Sequence, residues 1–216
     1  MSSLQSTNGT EYPLRLIIDY PQRMSRVTTL FRLILVIPII VILGIVSAQS
    51  TSTYVTSAGA QITQTSAGIL GALFLALVFM LLFRKRYPRW WFAFLLEYTR
   101  FAQRVAAYIF LLTDQYPSTE DQQTVHLDVD YPEVERLNRG LPLVKWFLAT
   151  PHYIVLASLG LAVLFITIVA YFAIVITGRY PRVMFDFVVG FSRWAQRVNA
   201  YAFLLVTDKY PPFSLR

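Results

Sequence analysis

Hydrophobic and polar positions divide the chain into two kinds of stretch. Leu33 to Phe83 and Trp146 to Gly178, 51 and 33 residues long, contain no Asp, Glu, Lys or Arg, and every charged residue lies outside them. A hydrocarbon core of about 30 Å takes about 20 helical residues at about 1.5 Å each. The first block therefore predicts two spans, 28–47 and 67–83, joined by the uncharged Ser-, Thr- and Gln-rich loop from Gln49 to Ser66. The second block is too long for one upright span and barely long enough for two. A single span would leave Arg136, Arg139 and Lys145 on one side and Arg179 and Arg182 on the other. The positive-inside rule disfavours that arrangement, so a tight hairpin turning near Ala157 to Gly160 is predicted, with spans 141–157 and 160–177 and with Lys145 snorkelling from its helix start. The basic run up to Arg32 followed by apolar residues imitates a signal peptide. The same pattern recurs mid-chain, where none can operate, so 28–47 reads as a retained span. The expectation is a multi-pass, all-α membrane protein with four transmembrane helices in two hairpins and both termini cytoplasmic.

The chain also repeats itself. Residues 86–112 align with 179–205 at an offset of 93, with 16 of 27 positions identical. After one inserted residue, Thr113-Asp114 matches Thr207-Asp208. Upstream, Asp19-Tyr20-Pro21 matches Asp130-Tyr131-Pro132, and Arg26, Arg32 and Pro38 match Arg139, Lys145 and Pro151. The predicted organisation is a tail at 1–11 without fixed structure, a first repeat at 12–117, a linker at 118–125 and a second repeat at 126–216. Copies inserted the same way up imply a pseudo-twofold axis along the membrane normal.

Periodicity adds two amphipathic helices, 88–112 and 181–206. At 100° per residue Glu97, Arg100, Gln103 and Arg104 share one arc, and Asp186, Arg193, Gln196 and Arg197 repeat the stripe. Arginines at mid-bilayer cost at least about 2.5 kcal/mol each, so both helices are expected to lie in the plane of the inner interface, apolar side toward lipid. Tyr87 and Tyr180, each preceding a proline, are held out of the α region and end the spans. The alternating runs Leu14–Asp19 and His126–Asp130 predict two short cytoplasmic strands that meet in a small sheet.

Composition sharpens the chemistry mainly by exclusion. The chain is 56% hydrophobic and 14% charged, with a net charge of +7 and no cysteine. This leaves too little polar surface for a soluble globule and removes disulfides, thiolate nucleophiles and cysteine-based metal sites. The charge is read as topology and not as a nucleic-acid surface. His126 and His152 align with Arg15 and Ile39, so neither belongs to the repeated design and no haem, metal or other cofactor is expected. Walker, dinucleotide, HExxH and G-x-S-x-G motifs do not occur. Asp114 and Asp208 are expected to fix their own turns through side-chain-to-backbone bonds, and Asn199 to bond a neighbouring helix. The sharpest candidate site is one for anionic lipid headgroups, where Arg86, Arg89, Arg100 and Arg104, or Arg179, Arg182, Arg193 and Arg197, converge between an in-plane helix and a span.

The pattern DYP…RYPR…F-x-F…RVNAYAFLLVTDKYPPFSL, together with LVKWFLATPHYIVL, resembles the bacterial membrane family DUF4389, a domain of unknown function, over residues 126–215. The first half resembles a more divergent copy. The resemblance implies a bacterial plasma-membrane protein and carries over no activity or catalytic residue. The function expected is a non-enzymatic integral membrane scaffold or accessory subunit. Its expected partners are anionic membrane lipids, with other membrane-complex subunits or a second copy as further candidates. The alternatives are a transporter or lipid-moving protein with a pathway between the repeats, and a lipid-acting enzyme built on Asp19, Asp130 and His126.

Overall fold

The computed structural model describes residues 12–47, 50–56, 61–66 and 68–216, so the predicted tail at 1–11 lies outside the described residues. Among the described residues seven α-helices and four strands follow one another: β1 Leu14–Ile18, α1 Arg26–Leu35, α2 Ile37–Ser47, β2 Ser50–Val55, β3 Gln61–Ser66, α3 Ile69–Phe79, α4 Arg89–Ile109, β4 Val125–Val129, α5 Leu141–Leu148, α6 Thr150–Thr177 and α7 Arg182–Ala202. A π-helical turn at Met80–Arg84 extends α3.

β1 and β4 pair antiparallel with Leu16 opposite Leu127. Their period-two patterns bury Leu14, Leu16, Ile18, Val125, Leu127 and Val129 on one face. That face meets α4, which packs on β4, and α7, which packs on β1. Each helix therefore lies on a strand from the other half of the sequence.

Both apolar rods of the two halves break at a proline. α1 gives way to α2 at Val36, two residues before Pro38, and α5 to α6 at Ala149, two residues before Pro151. A proline lacks the N–H and its ring crowds the carbonyl four residues back, so a helix bends or restarts there.

The predicted second hairpin is not present. Residues 150–177 form one helix, continuous through Ala157 to Gly160. The physical reason is local: a turn there would strand backbone carbonyls among apolar side chains, and the polar group at hand, the Ser158 hydroxyl, bonds back to Val155 O at 2.8 Å within the helix. Alignment with the first half explains the difference. The offset between equivalent residues falls from 113 at Pro38 to 93 at Arg86, and the twenty extra residues coincide with the stretch holding β2 and β3. Where the first half has α2, a β-hairpin and α3, the second has an unbroken α6. Of the segment expected to be a loop, Gln49 to Ser66, residues 50–55 and 61–66 are paired antiparallel strands, and 49 and 57–60 lie outside the described residues.

The two amphipathic helices end earlier than 112 and 206. Leu111 and Leu205, each two residues before Thr113 or Thr207, adopt left-handed backbone conformations, φ +63° and +56°, and terminate α4 and α7. A third equivalence marks the ends of α3 and α6, where Lys85 (φ +48°) and Gly178 (φ +72°) occupy matching positions. A side chain in this region costs about 1–2 kcal/mol, while glycine adds about 0.5–1 kcal/mol of chain entropy to lose. Lys85→Gly is therefore expected to stabilise the protein by roughly 0.5–1 kcal/mol, read as a higher thermal midpoint. An unchanged or lower midpoint would refute the strain argument.

Candidate functional site: the arginine layer

Glu97 and Asp186 are exposed, but the other stripe residues of α4 and α7 turn inward. The two stripes turn toward each other and toward the sheet. Gln196 Nε2 donates to Gln103 Oε1 at 2.8 Å, and these are equivalent residues of the two alignable segments. Arg100 Nε donates to Leu127 O at 2.7 Å and Arg193 Nε to Leu16 O at 3.0 Å, so each arginine reaches the central carbonyl of the other half's strand. Stripe residues that look amphipathic in one helix are here the seam between two.

The same exchange governs the tyrosines. Tyr20 donates its hydroxyl to Tyr180 O at 2.5 Å, and Tyr131 donates to Tyr87 O. The Arg182 guanidinium sits 4.4 Å over the Tyr20 ring and Arg89 5.5 Å over Tyr131. Tyr180 and Tyr87 are themselves buried, and burial pushes both phenols well above the ordinary tyrosine range, so they stay neutral.

Two further contact sets match residue for residue. In one, Arg32 donates to Tyr108 O (2.9 Å) and Thr113 O (3.0 Å), pairs with Asp114 and lies over the Tyr108 ring. In the other, Lys145 Nζ donates to Thr207 O (2.8 Å), pairs with Asp208 (2.6 Å) and lies over the Tyr201 ring. The other oxygen of each carboxylate accepts a backbone N–H just before the helix that carries its basic partner, Ser25 N at 2.6 Å and Asn138 N at 2.7 Å. Lys145 therefore does not snorkel. Its side chain is buried, because the partner it needs is at hand on the protein. Asp114 and Asp208 do bond backbone, but that of a distant segment and not their own turn. Asn199 likewise bonds Gln196 on its own helix, at 3.3 Å, and not a neighbouring one.

The eight arginines singled out from sequence fall into two groups. Arg100, Arg104, Arg193 and Arg197 are spent inside the protein. Arg100 also pairs with Glu97 and Asp128, Arg104 donates to Ser118 O at 2.5 Å, and Arg197 donates to Ser214 O at 2.5 Å. Burial lowers the Arg197 pKa, Tyr12 opposes that shift and neighbouring Arg193 adds to it. Tyr12, whose hydroxyl donates to Arg197 O at 2.8 Å, is pushed up, first by its own burial. Arg86, Arg89, Arg179 and Arg182 instead border the outer surface. Arg182 pairs with Asp186 at 3.2 Å and Arg89 lies on Tyr131. Arg86 and Arg179 line two separate depressions, with Arg84, Lys85 and Arg136 in one and Arg23 and Arg26 in the other. The expected four-arginine clusters are thus divided between an inner seam and an outer rim. The basic residues that complete the rim, Arg23, Arg26, Arg84 and Arg136, come from segments that helical periodicity does not link to α4 or α7.

The histidines stand apart. His126 lies 3.6 Å from Asp19 at the exposed sheet edge, whereas Asp130 faces a different depression with Arg15, Arg136 and Lys209. His152 accepts from Trp194 Nε1 at 3.1 Å and stacks on Phe213 at 3.9 Å. Among the described residues no group of three or more His, Asp or Glu is placed to hold a metal ion.

Residues 142–214 match the family model described as a domain of unknown function, DUF4389; this covers α5, α6 and α7 and less than half of the chain. No curated protein and no solved structure matches the chain.

Proposed function

We propose that this chain is a non-enzymatic integral membrane scaffold or accessory subunit, built as two copies of one unit about a pseudo-twofold axis near the Gln103–Gln196 bond. In this reading the sheet, α4 and α7 form a polar layer at the cytoplasmic face that presents arginines to anionic lipid headgroups. The observation that carries it is the contrast between that layer and the apolar rods. Two helices, Arg26–Ile45 and Leu141–Thr177, are long and apolar enough to cross a membrane, and the shorter Ile69–Arg84 is also apolar. Their side chains are mostly uncovered, with Leu33 at 74%, Leu161 at 71% and Ile176 at 71% exposure. Apolar surface on this scale is stable only against lipid or another protein.

The ends of the long rod support a one-sided arrangement. At its start Asn138 and Lys145 reach Asp208, and at its finish Gly178 O accepts from Met24 N at 2.9 Å. Both attachments are to the polar layer, so Arg139 and Arg179 share a side in this reading even though the hairpin is absent. α6 runs antiparallel along α7, with His152 at Trp194 and Gly160 beside Phe191. The whole rod would be about 55 Å long if straight; a rod without a turn whose two ends share a side does not cross the bilayer, so in this reading α5–α6 lies lengthwise in the cytoplasmic leaflet beside the polar layer.

Because the chain has no native cysteine, Arg139→Cys and Arg179→Cys report sidedness directly. Both are expected to react with an impermeant maleimide from the same face of sealed vesicles, and the wild-type chain is expected to stay in the pellet after alkaline carbonate extraction. Labelling from opposite faces would overturn the one-sided layer, and release by carbonate would overturn membrane integration.

A further inference from the structure

At the junction of α1 and α6, Arg23, Arg26 and Arg179 surround a depression of about 430 Å³ whose remaining lining is Met24, Thr177 and Gly178. No carboxylate lines it, and among the described residues none of the three guanidiniums has a hydrogen bond or ion pair with the protein. Four other arginines are paired within the protein. Arg32, Arg100, Arg136 and Arg182 all hold carboxylates. Gly178 turns the chain here with φ +72°, and Arg26 Nε lies 3.6 Å from where its Cβ would stand, at ordinary contact distance.

The matching depression in the other half is larger, about 700 Å³, and is lined by Arg84, Lys85, Arg86 and Arg136 together with Glu133 and Glu135. There Arg136 pairs with Glu133 at 2.7 Å and Lys85 donates to Glu135 O at 3.2 Å. Residues 84–86 and 136 are the equivalents of 177–179 and 23. The two halves thus offer the same pocket twice, once with two glutamates among its four basic residues and once with three arginines and no carboxylate.

From this asymmetry we infer that the Arg23–Arg26–Arg179 pocket binds a phosphate monoester, the dianionic headgroup class. A monoester carries about −1.5 to −2 at neutral pH, against −1 for a phosphodiester, and three guanidiniums answer the larger charge through bidentate N–H···O pairs. Helix dipoles do not decide the matter. The start of α1 favours an anion and the end of α6 opposes it, so they largely offset one another. The inference extends the anionic-lipid reading and rests on it for a lipid source. A soluble phosphate would present the same chemistry without a membrane.

Full-length protein in a non-ionic detergent would be titrated, by native mass spectrometry, with short-chain phosphatidate, with short-chain phosphatidylglycerol and with inorganic phosphate. Phosphatidate is expected to bind about tenfold or more tightly than phosphatidylglycerol. Arg23→Gln with Arg179→Gln should remove that preference, and Arg84→Gln with Arg86→Gln should change it less than about threefold. Circular dichroism checks the fold of each variant, and Arg179→Lys, which keeps the charge but loses the fork, should lose several-fold affinity if the double variant does not fold. Inorganic phosphate that competes at millimolar concentration supports the site and assigns a soluble source, whereas saturable phosphatidate binding without such competition supports it and assigns a lipid one. Equal affinity for the two lipids overturns the monoester class, and undiminished binding by the Arg23 and Arg179 variant overturns the site. Release by carbonate would refute the membrane reading alone, because arginine-dependent phosphate binding would survive it.

Discussion

Asp208→Ala is expected to destabilise the protein by about 3–5 kcal/mol. The substitution leaves the Lys145 ammonium, whose side chain is 1% exposed, with Thr207 O as its remaining oxygen partner, and it frees the Asn138 N–H at the start of the long rod. The cost comes from the unpaired charge and not from the loss of the attraction itself, since two ions removed from water largely return their Coulomb gain as desolvation. That distinction gives the experiment its second arm. Lys145→Met removes the buried charge and keeps the volume of the stem, so it should cost much less than Asp208→Ala, and combining the two should recover most of the loss. Asp114→Ala is the equivalent change in the first half, where Arg32 retains two carbonyl partners. It should be damaging but milder. Chemical denaturation of the full chain in detergent would measure all four variants. An Asp208→Ala midpoint within error of wild type, or a double variant worse than both singles, would contradict the account.

These ion pairs show what the amino-acid pattern could and could not disclose. The alternation at Leu14–Ile18 and Val125–Val129 specifies the strands and their buried face, because period two leaves one arrangement that hides the aliphatic residues. The stripes of α4 and α7 were equally legible as stripes. What they face was not: Arg100 and Gln103 on a surface helix and the same residues in a seam between two helices have identical periodicity. Only the pairing of Gln103 with Gln196, nearly a hundred residues apart, distinguishes them. The recurring Thr-Asp motif did carry a signal that could have been used. Arg32 and Lys145 sit at matching positions, and a basic residue retained at an apolar helix position in both alignable halves calls for a carboxylate retained in both, which Asp114 and Asp208 supply. The expected second hairpin failed for a different reason. Charge bias bears on which side the ends of a segment take, but it says nothing about whether the chain turns or runs straight between them.

The C-terminal segment packs on α7, and Gly190 is where that packing is most exacting. A Cβ on Gly190 would lie 2.6 Å from Leu215 O and 2.9 Å from Leu215 Cβ, closer than any relaxed contact, and one of the two obstacles is backbone. In an isolated helix Gly→Ala would gain about 1 kcal/mol. Here the gain is outweighed, because the tail must lift. Lifting it takes Ser214 O from Arg197 Nη2 and disturbs the Phe213 ring stacked on His152. Gly190→Ala is therefore expected to lower stability by about 1–3 kcal/mol net, the usual cost of overpacking, and to speed tryptic cleavage after the exposed Lys209. Truncating the alanine variant before Ser214 removes the collision and should return most of the lost midpoint, whereas the same truncation in the wild-type chain should lower it, because Arg197 then loses its acceptor. If Gly190→Ala melts and digests like wild type, the C-terminal segment is not seated on α7; if truncation fails to rescue it, the damage lies within the helix and not in the tail.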